Sequence, residues 1–561
     1  MSEDSAKTDE QKLASESKPE EKKVSVEKPN NNEKKPKTER KRTRCGDKKR
    51  LFIFGAIALA VIGIIIAIIC IINSNKEISI FKTDAFFIPE NDKADARYAL
   101  FKNNGDKLTD FEFRSVSSFV DGYAMVKNTE EQYGIIDHNG NMTVEFGKYD
   151  SIFPHVGIYE VKNGETETLI LGNGNELAAG YDSYTYSSGA PYAAVKFADN
   201  HYKLFNAFGN TIAEFDSEDI PRFSDDTGET VSAVIYKGGM YILNNKNYKD
   251  ATAVQTDTAY SIDEATEDGK TVVFLENKTK GSRKRAIYAN SKFTEFGDKC
   301  SDIELYDNFP NKERFYLTCT TDKKELLIRN NEITNINISA QGGTYAVYDE
   351  NHYVKYDSKG KKAIFFVDGQ EKASVETGTN RPTAVFKGYL VRNNKDNFVA
   401  LYDLDGTKIF TLSDTISGEI NGVDKNDKII VRDAGLEGNQ KYYIVNKNGD
   451  TISDKYSTIT VRGEYYSAHN YKDGTAALLD KDCKTIVSGD YIAFDYYDDE
   501  KVILGKKNNL EYDLIDANNK NVKASIKGAV SYYRAGYLRA YNDGKTSFYT
   551  TEGRLIHEYS K

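Results

Sequence analysis

One phrase recurs along most of this chain: an apolar strand, a polar turn ending in glycine, then a second short strand. It reads YALFKNNGDKL from Tyr98, YGIIDHNGNMT from Tyr133, TLILGNGNEL from Thr168 and YKLFNAFGNTI from Tyr202. Later copies are VALYDLDGTKI from Val399, YYIVNKNGDTI from Tyr442 and SFYTTEGRLI from Ser547. The turn glycines are Gly105, Gly140, Gly174, Gly209, Gly369, Gly406, Gly449 and Gly553. Degenerate copies put Asn247, Lys292, Glu332, Cys483 and Asn519 near the same point, giving thirteen turns at a mean period of about 37 residues.

A second phrase lies between the turns, an apolar strand ending in Lys or Arg: YAMVKN from Tyr123, IYEVKN from Ile158, YLVRNN from Tyr389 and YLRAYND from Tyr537. Each unit then holds about four short antiparallel strands, and the alternation in Tyr-x-Ile-x-Asp predicts strands buried on one face. Glycine supplies the left-handed backbone that closes such hairpins. Four strands in about 37 residues is the arithmetic of a propeller blade. The expected fold is all-β, with tandem propeller-like domains of about 13 units, 98–320 and 321–561. A continuous solenoid of β-hairpins is the alternative. The last unit ends after its second hairpin and the first lacks an opening strand, so the two termini are expected to complete one blade between them.

Upstream, Leu51 to Ile72 is a run of 22 residues without charge or proline. At helical rise it spans about 33 Å, enough for a hydrocarbon core of about 30 Å. It is too long for a signal-peptide core and ends without a small-residue cleavage site. Residues 34–50 carry ten Lys+Arg. The positive-inside rule therefore predicts a cytoplasmic N-terminus, a single-pass cell-membrane anchor and extracytoplasmic residues 73–561. Residues 73–97 read as a juxtamembrane linker and first strand. Ala56, Ala60, Gly63 and Ala67 share one helix face that would admit a second copy. Residues 1–50 have no aromatic residue and a composition rich in Lys, Glu, Ser, Pro and Asn, expected of a disordered tail.

The phrase around YGIIDHNG resembles bacterial WG-repeat (KWG-like) envelope proteins. Tyr133-Gly134, Asp137, Gly140, Tyr149-Asp150 and Val161-Lys162 match one unit of that pattern. The Trp of the pattern is replaced throughout, since the chain contains none. The resemblance implies an envelope scaffold and supplies no catalytic residue.

Charge and motifs narrow the chemistry. The net charge is -10, but residues 1–50 hold 16 Lys+Arg against 11 Asp+Glu, so the exterior part is strongly acidic. Nucleic acid is not an expected partner, because phosphate binding needs clustered cations. No two of the six His lie within five residues of each other, and no zinc spacing, phosphate loop or nucleophile elbow occurs. No cofactor, metal or catalytic residue is assigned. Cys300 and Cys319 stand in neighbouring strand regions of one unit, where a disulfide and two packed thiols are both open readings. Tyr402–Gly406 resembles a calcium loop only faintly, and the two DGKT strings, at 268 and 543, read as hairpin turns. Lys280, Arg283, Lys284 and Arg285 form a basic cluster expected to be a solvated loop. All 39 Tyr lie after residue 97, and exposed ones suit sugars and protein interfaces.

The expected function is binding or scaffolding of an envelope protein or glycan, without enzymatic activity. Alternatives are a polysaccharide-active enzyme on the same frame, or a component of transmembrane signalling or envelope assembly.

Overall fold

The structure is a computed structural model. It describes residues 80–560 apart from 226–229, 267, 277–283, 307–314, 323, 340–343, 378–380, 386, 393–398, 412–417, 425–427, 434–440, 447, 498–500, 508–509 and 534–535. The tail, the 51–72 run and its small-residue face lie outside the described residues. Among the described residues, no helix is long and apolar enough to cross a membrane.

The repeat resolves into twelve antiparallel sheets, one after another along the chain. Ten have four strands, the ninth has three, and the first has six. The six-stranded sheet is two repeats joined by a single ladder pair, Tyr98↔Phe113. Its halves pack on each other through Ala85, Leu100, Phe113, Val126 and Ile136. Thirteen turns therefore serve twelve sheets.

Burial departs from the sequence expectation in an informative way. Val231–Tyr236 is buried at five consecutive residues and Tyr192–Lys196 at four, with no alternation. Each sheet is covered on both faces, so its middle strands meet a neighbour whichever way a side chain points. The second sheet sends Ile152, Tyr159 and Val161 toward the first, and Ile158, Leu169 and Ala178 toward the third.

All eight turn glycines have positive φ, between +78° and +89°. The turn is built around the residue three before the glycine. In the copy at Asp137, its Oδ1 accepts from the amides of Asn139 and Asn141, and Gly140 N–H donates to the Asp137 carbonyl. The glycine also faces the preceding repeat. A Cβ at Gly140 would stand 3.3 Å from Leu108, and one at Gly553 only 2.2 Å from the Ala524 Cβ. In the degenerate copies the left-handed residue is not always the expected one. It is Tyr248 for Asn247, Asn290 and Ser291 for Lys292, Asn330 and Asn331 for Glu332, and Lys520 for Asn519. Cys483 alone takes the glycine's place directly, with φ +63°.

The same contact closes the chain on itself. A Cβ at Gly105, in the first repeat, would meet Thr550 of the last sheet at 3.0 Å. Phe86, Ile88, Ala99 and Phe101 pack there against Phe548, and Arg554 Nη1 reaches Asp106 at 3.3 Å and the Asn104 carbonyl. His557 Nε2 lies 3.0 Å from the Glu90 carbonyl. Residues 85–560 thus form one propeller-like circuit in which every repeat has a neighbour on each side.

Two details differ from the sequence reading. The last sheet is complete, with four strands from Ala529–Tyr533 to Leu555–Ser560, so the termini meet by side-chain packing and not by sharing a sheet. The division at 320 falls inside a hairpin, where Thr320 pairs with Glu325 and Cys319 shares a cluster with Ile328. A period counted along the chain gives the number of repeats, whereas the angle between packed sheets decides how many close one circuit.

Candidate functional site

In the third to fifth sheets the first strands draw toward one another, on the inner side of the circuit. Ser183–Tyr186 approaches Arg222–Asp225, which approaches Tyr260–Ala265 in turn. Inner strands of this kind carry the exposed side chains that a ligand entering the circuit would meet.

The second sheet begins with Ser151–His155, paired antiparallel to Ile158–Asn163 so that Phe153 stands opposite Glu160 and Ser151 opposite Lys162. Directly opposed residues share a face. Phe153, His155, Glu160 and Lys162 consequently point the same way, toward the third sheet. From the third sheet, Ser183–Tyr186 returns Tyr184 and Tyr186, with Tyr181 just before it. The result is an aromatic cleft at the inner edge. The His155 and Tyr186 rings lie 3.9 Å apart, and Tyr181 meets Tyr184 edge-on at 5.6 Å. Phe153 is 47% exposed and Tyr186 43%, whereas the His155 side chain keeps only 12%.

A carboxylate sits beneath these rings. Glu160 accepts the Tyr184 hydroxyl, with Lys162 Nζ at 3.5 Å and His155 Nε2 at 3.6 Å. Lys162 also pairs with Glu167 at 2.6 Å. Burial alone would raise the Glu160 carboxyl, but the Tyr184 hydrogen bond and Lys162 outweigh it and hold it below its ordinary value. Burial lowers His155 despite the pull of Glu160, which favours neutral imidazole. Burial, with Glu167 and Glu160 nearby, pushes the Tyr181 hydroxyl up to about 12. The Tyr181 hydroxyl is buried without a hydrogen-bond partner, and the buried His155 Nε2 has only its long contact with Glu160. Exposed rings beside a hydrogen-bonded carboxylate suit a ligand that brings both apolar faces and hydroxyls.

A second inner-edge group is acidic. Asp263 and Glu264 on one inner strand neighbour Asp302 and Glu304 on the next. Arg285 bridges Asp263 at 2.9 Å and Asp302 at 2.7 Å. Glu264 accepts the Leu305 amide at 3.0 Å, and Glu304 accepts the Tyr306 hydroxyl at 2.6 Å. Burial, with carboxylates around it, raises Glu264. Arg285 is therefore not part of a solvated basic loop: it is buried, because its guanidinium neutralises carboxylates from two sheets. Lys280 and Arg283 lie outside the described residues.

The remaining sequence candidates fall as follows. Cys300 and Cys319 are joined by a disulfide, and both are buried. Cys483 is a free buried cysteine whose thiol burial pushes up to about 12. Asp403 is the cap of a turn, accepting from the Asp405 and Thr407 amides. Both DGKT strings are hairpin turns, after Tyr260–Ala265 and after Tyr537–Asn542. Among the described residues, no group of His, Cys, Asp and Glu could hold a metal ion. The aromatic cleft was missed in the sequence reading. Its signal was the dense Tyr181-Asp-Ser-Tyr184-Thr-Tyr186, which places two tyrosines on one face of a strand.

No family model matches the chain, and no curated protein matches it. Among solved structures, the chain is similar to "Crystal structure of the eukaryotic initiation factor", at 12% identity and TM-score 0.30, over 64% of this chain and 93% of that one. It is similar to BamB from Moraxella catarrhalis, at 9% identity and TM-score 0.18, over 66% of this chain and 95% of that one. A third is KlHsv2 with loop 6CD replaced by a Gly-Ser linker, at 9% identity and TM-score 0.23, over 54% of this chain and 99% of that one. At these values the likenesses carry no statement about function.

Proposed function

We propose that this protein is a membrane-anchored, extracytoplasmic binding or scaffold module for an envelope glycan or protein. In this reading the 51–72 run is the single-pass anchor, the N-terminus is cytoplasmic, and the circuit is a WG-repeat-like propeller. The observation that carries the reading is the inner cleft, where the exposed rings of Phe153 and Tyr186 flank a hydrogen-bonded carboxylate. Aromatic anchors around a few placed polar groups are the usual make-up of a recognition site. The Cys300–Cys319 disulfide supports an oxidising compartment.

The test is capture of envelope components by the full-length chain in detergent, before and after protease treatment of the envelope fraction. Capture lost with protease identifies a protein partner, and capture that survives identifies a glycan. No capture in either arm defeats the proposal.

A polysaccharide-active enzyme is the second reading, favoured by the Asp263, Glu264, Asp302 and Glu304 group. A carboxyl raised by burial, with further acidic side chains beside it, is the pattern of an acid and its partner. Release of soluble product from envelope polysaccharide, abolished by Glu264→Gln, would establish it.

A further inference from the structure

The cleft between the second and third sheets has a charge and shape that select among glycans. Phe153 and Tyr186 offer exposed ring faces at its mouth, and the apolar C–H face of a pyranose ring stacks on such surfaces. Behind them stands a carboxylate acceptor, Glu160, held by the Tyr184 hydroxyl and Lys162. A sugar hydroxyl can donate to this carboxylate while its ring stacks on the aromatic faces. The charge balance is two carboxylates, Glu160 and Glu167, against one ammonium, Lys162, which is engaged with both. An incoming carboxylate or phosphate would meet that negative field, with Lys162 already engaged.

We infer that this cleft is a subsite for an uncharged pyranose chain and discriminates against polyanionic glycans. The inference rests on the binding-module reading and names its ligand class. Phe153 and Tyr186 bind by stacking, while Glu160, held in place by Tyr184, orients the sugar hydroxyls.

The experiment is calorimetric titration of the full-length protein, in a detergent without a sugar headgroup, with cellohexaose, chitohexaose and hexagalacturonate. At least one neutral hexamer is expected to bind, at least tenfold more tightly than hexagalacturonate. Tyr186→Ala and Phe153→Ala should each weaken that binding at least tenfold. Tyr186→Leu, which keeps bulk at an exposed position, should weaken it similarly with an unchanged melting temperature. Equal or tighter binding of hexagalacturonate overturns the inference, as does neutral-sugar binding untouched by the ring substitutions. If neither neutral hexamer binds while protease-sensitive capture persists, the carbohydrate assignment falls and the binding-module reading stands. If both fail, both fall.

Discussion

Sheets four to six, residues 222–337, hold their seams differently from the sheets on either side. In the first three sheets, and again from the seventh to the ninth, the turn is closed by a glycine pressed against the preceding repeat. Gly209 faces Leu171 in this way, and Gly406 faces Phe365 and Ala373. At the corresponding turns sheets four to six carry Tyr248, Ser291 and Asn331 in place of glycine, although Gly269, in another turn of the fifth sheet, does face Val231 of the preceding sheet. Their seams are tied by side chains, and a covalent bond staples one of the sheets. Asn331 Nδ2 reaches back to the Ala289 and Lys292 carbonyls, Arg285 bridges Asp263 and Asp302, and Ser224 Oγ accepts the Ile262 amide at 3.0 Å. Cys300 and Cys319 join within the sixth sheet. One backbone problem, bringing a left-handed turn against a packed neighbour, has two solutions. Removing Cβ permits close packing, and a polar side chain bridges a wider gap.

The sharpest way to test this comparison is to put a Cβ at the tightest of the turn glycines. Gly553→Ala combines a φ of +82° with a Cβ 2.2 Å from Ala524. It should destabilise the full-length protein by about 4 kcal/mol in chemical denaturation. Gly544→Ala, with φ +80° and open space around it, should cost only about 1 kcal/mol. Equal costs would mean that the contact between repeats contributes nothing beyond backbone strain.

In the other region, reducing the Cys300–Cys319 bridge, which spans a sequence separation of 19, should cost about 3 kcal/mol. Amide exchange should then quicken first in residues 299–329. Uniform quickening around the circuit would deny this region a separate tie. Asn331→Ala should cost about 2 kcal/mol, through the buried donors and acceptors it leaves behind. Asn331→Gly restores the conformational freedom but not the bridge, so it should recover only part of the loss.

The regions should also respond to pH in opposite senses. Glu264, in the fifth sheet, has a raised folded value. Its contribution is complete below the ordinary Glu value and is lost as pH rises through the raised one. His155 in the second sheet and His469 in the tenth have lowered folded values, set first by burial. Their contribution is present above the ordinary His value and lost as pH falls through the lowered ones. Denaturation midpoints across a pH series should show the Glu264 slope vanish in Glu264→Gln, with the histidine slope unchanged. The smallest effect belongs to Cys483→Gly. It relieves a φ of +63° but empties a buried thiol, leaving a net change within about 1 kcal/mol.

Much of this was legible without coordinates. The Asp-x-x-Gly phrase encodes its own turn, because the Asp137 carboxylate, the Gly140 backbone and the intervening amides are all within five residues. Strands such as Tyr123–Asn128 and Ile158–Asn163 begin and end where their phrases do, for the same local reason. The degenerate turns were harder. Asn330 and Asn331 take the left-handed positions before Glu332, because Asn331 has a partner in the preceding sheet, and no local pattern specifies a partner about 40 residues away.

The sequence by itself determined the repeat, its count and the glycine-closed turns, since these depend on hydrogen bonds and φ preferences within a few residues. Tertiary structure alone decided that the last repeat packs on the first, that middle strands are buried on both faces, and that Phe153, His155, Tyr184 and Tyr186 share one cleft. Each of these depends on the angle at which one sheet packs on the next. That angle is the sum of side-chain contacts across a whole seam, and a small change in it, multiplied around the circuit, would alter the closure.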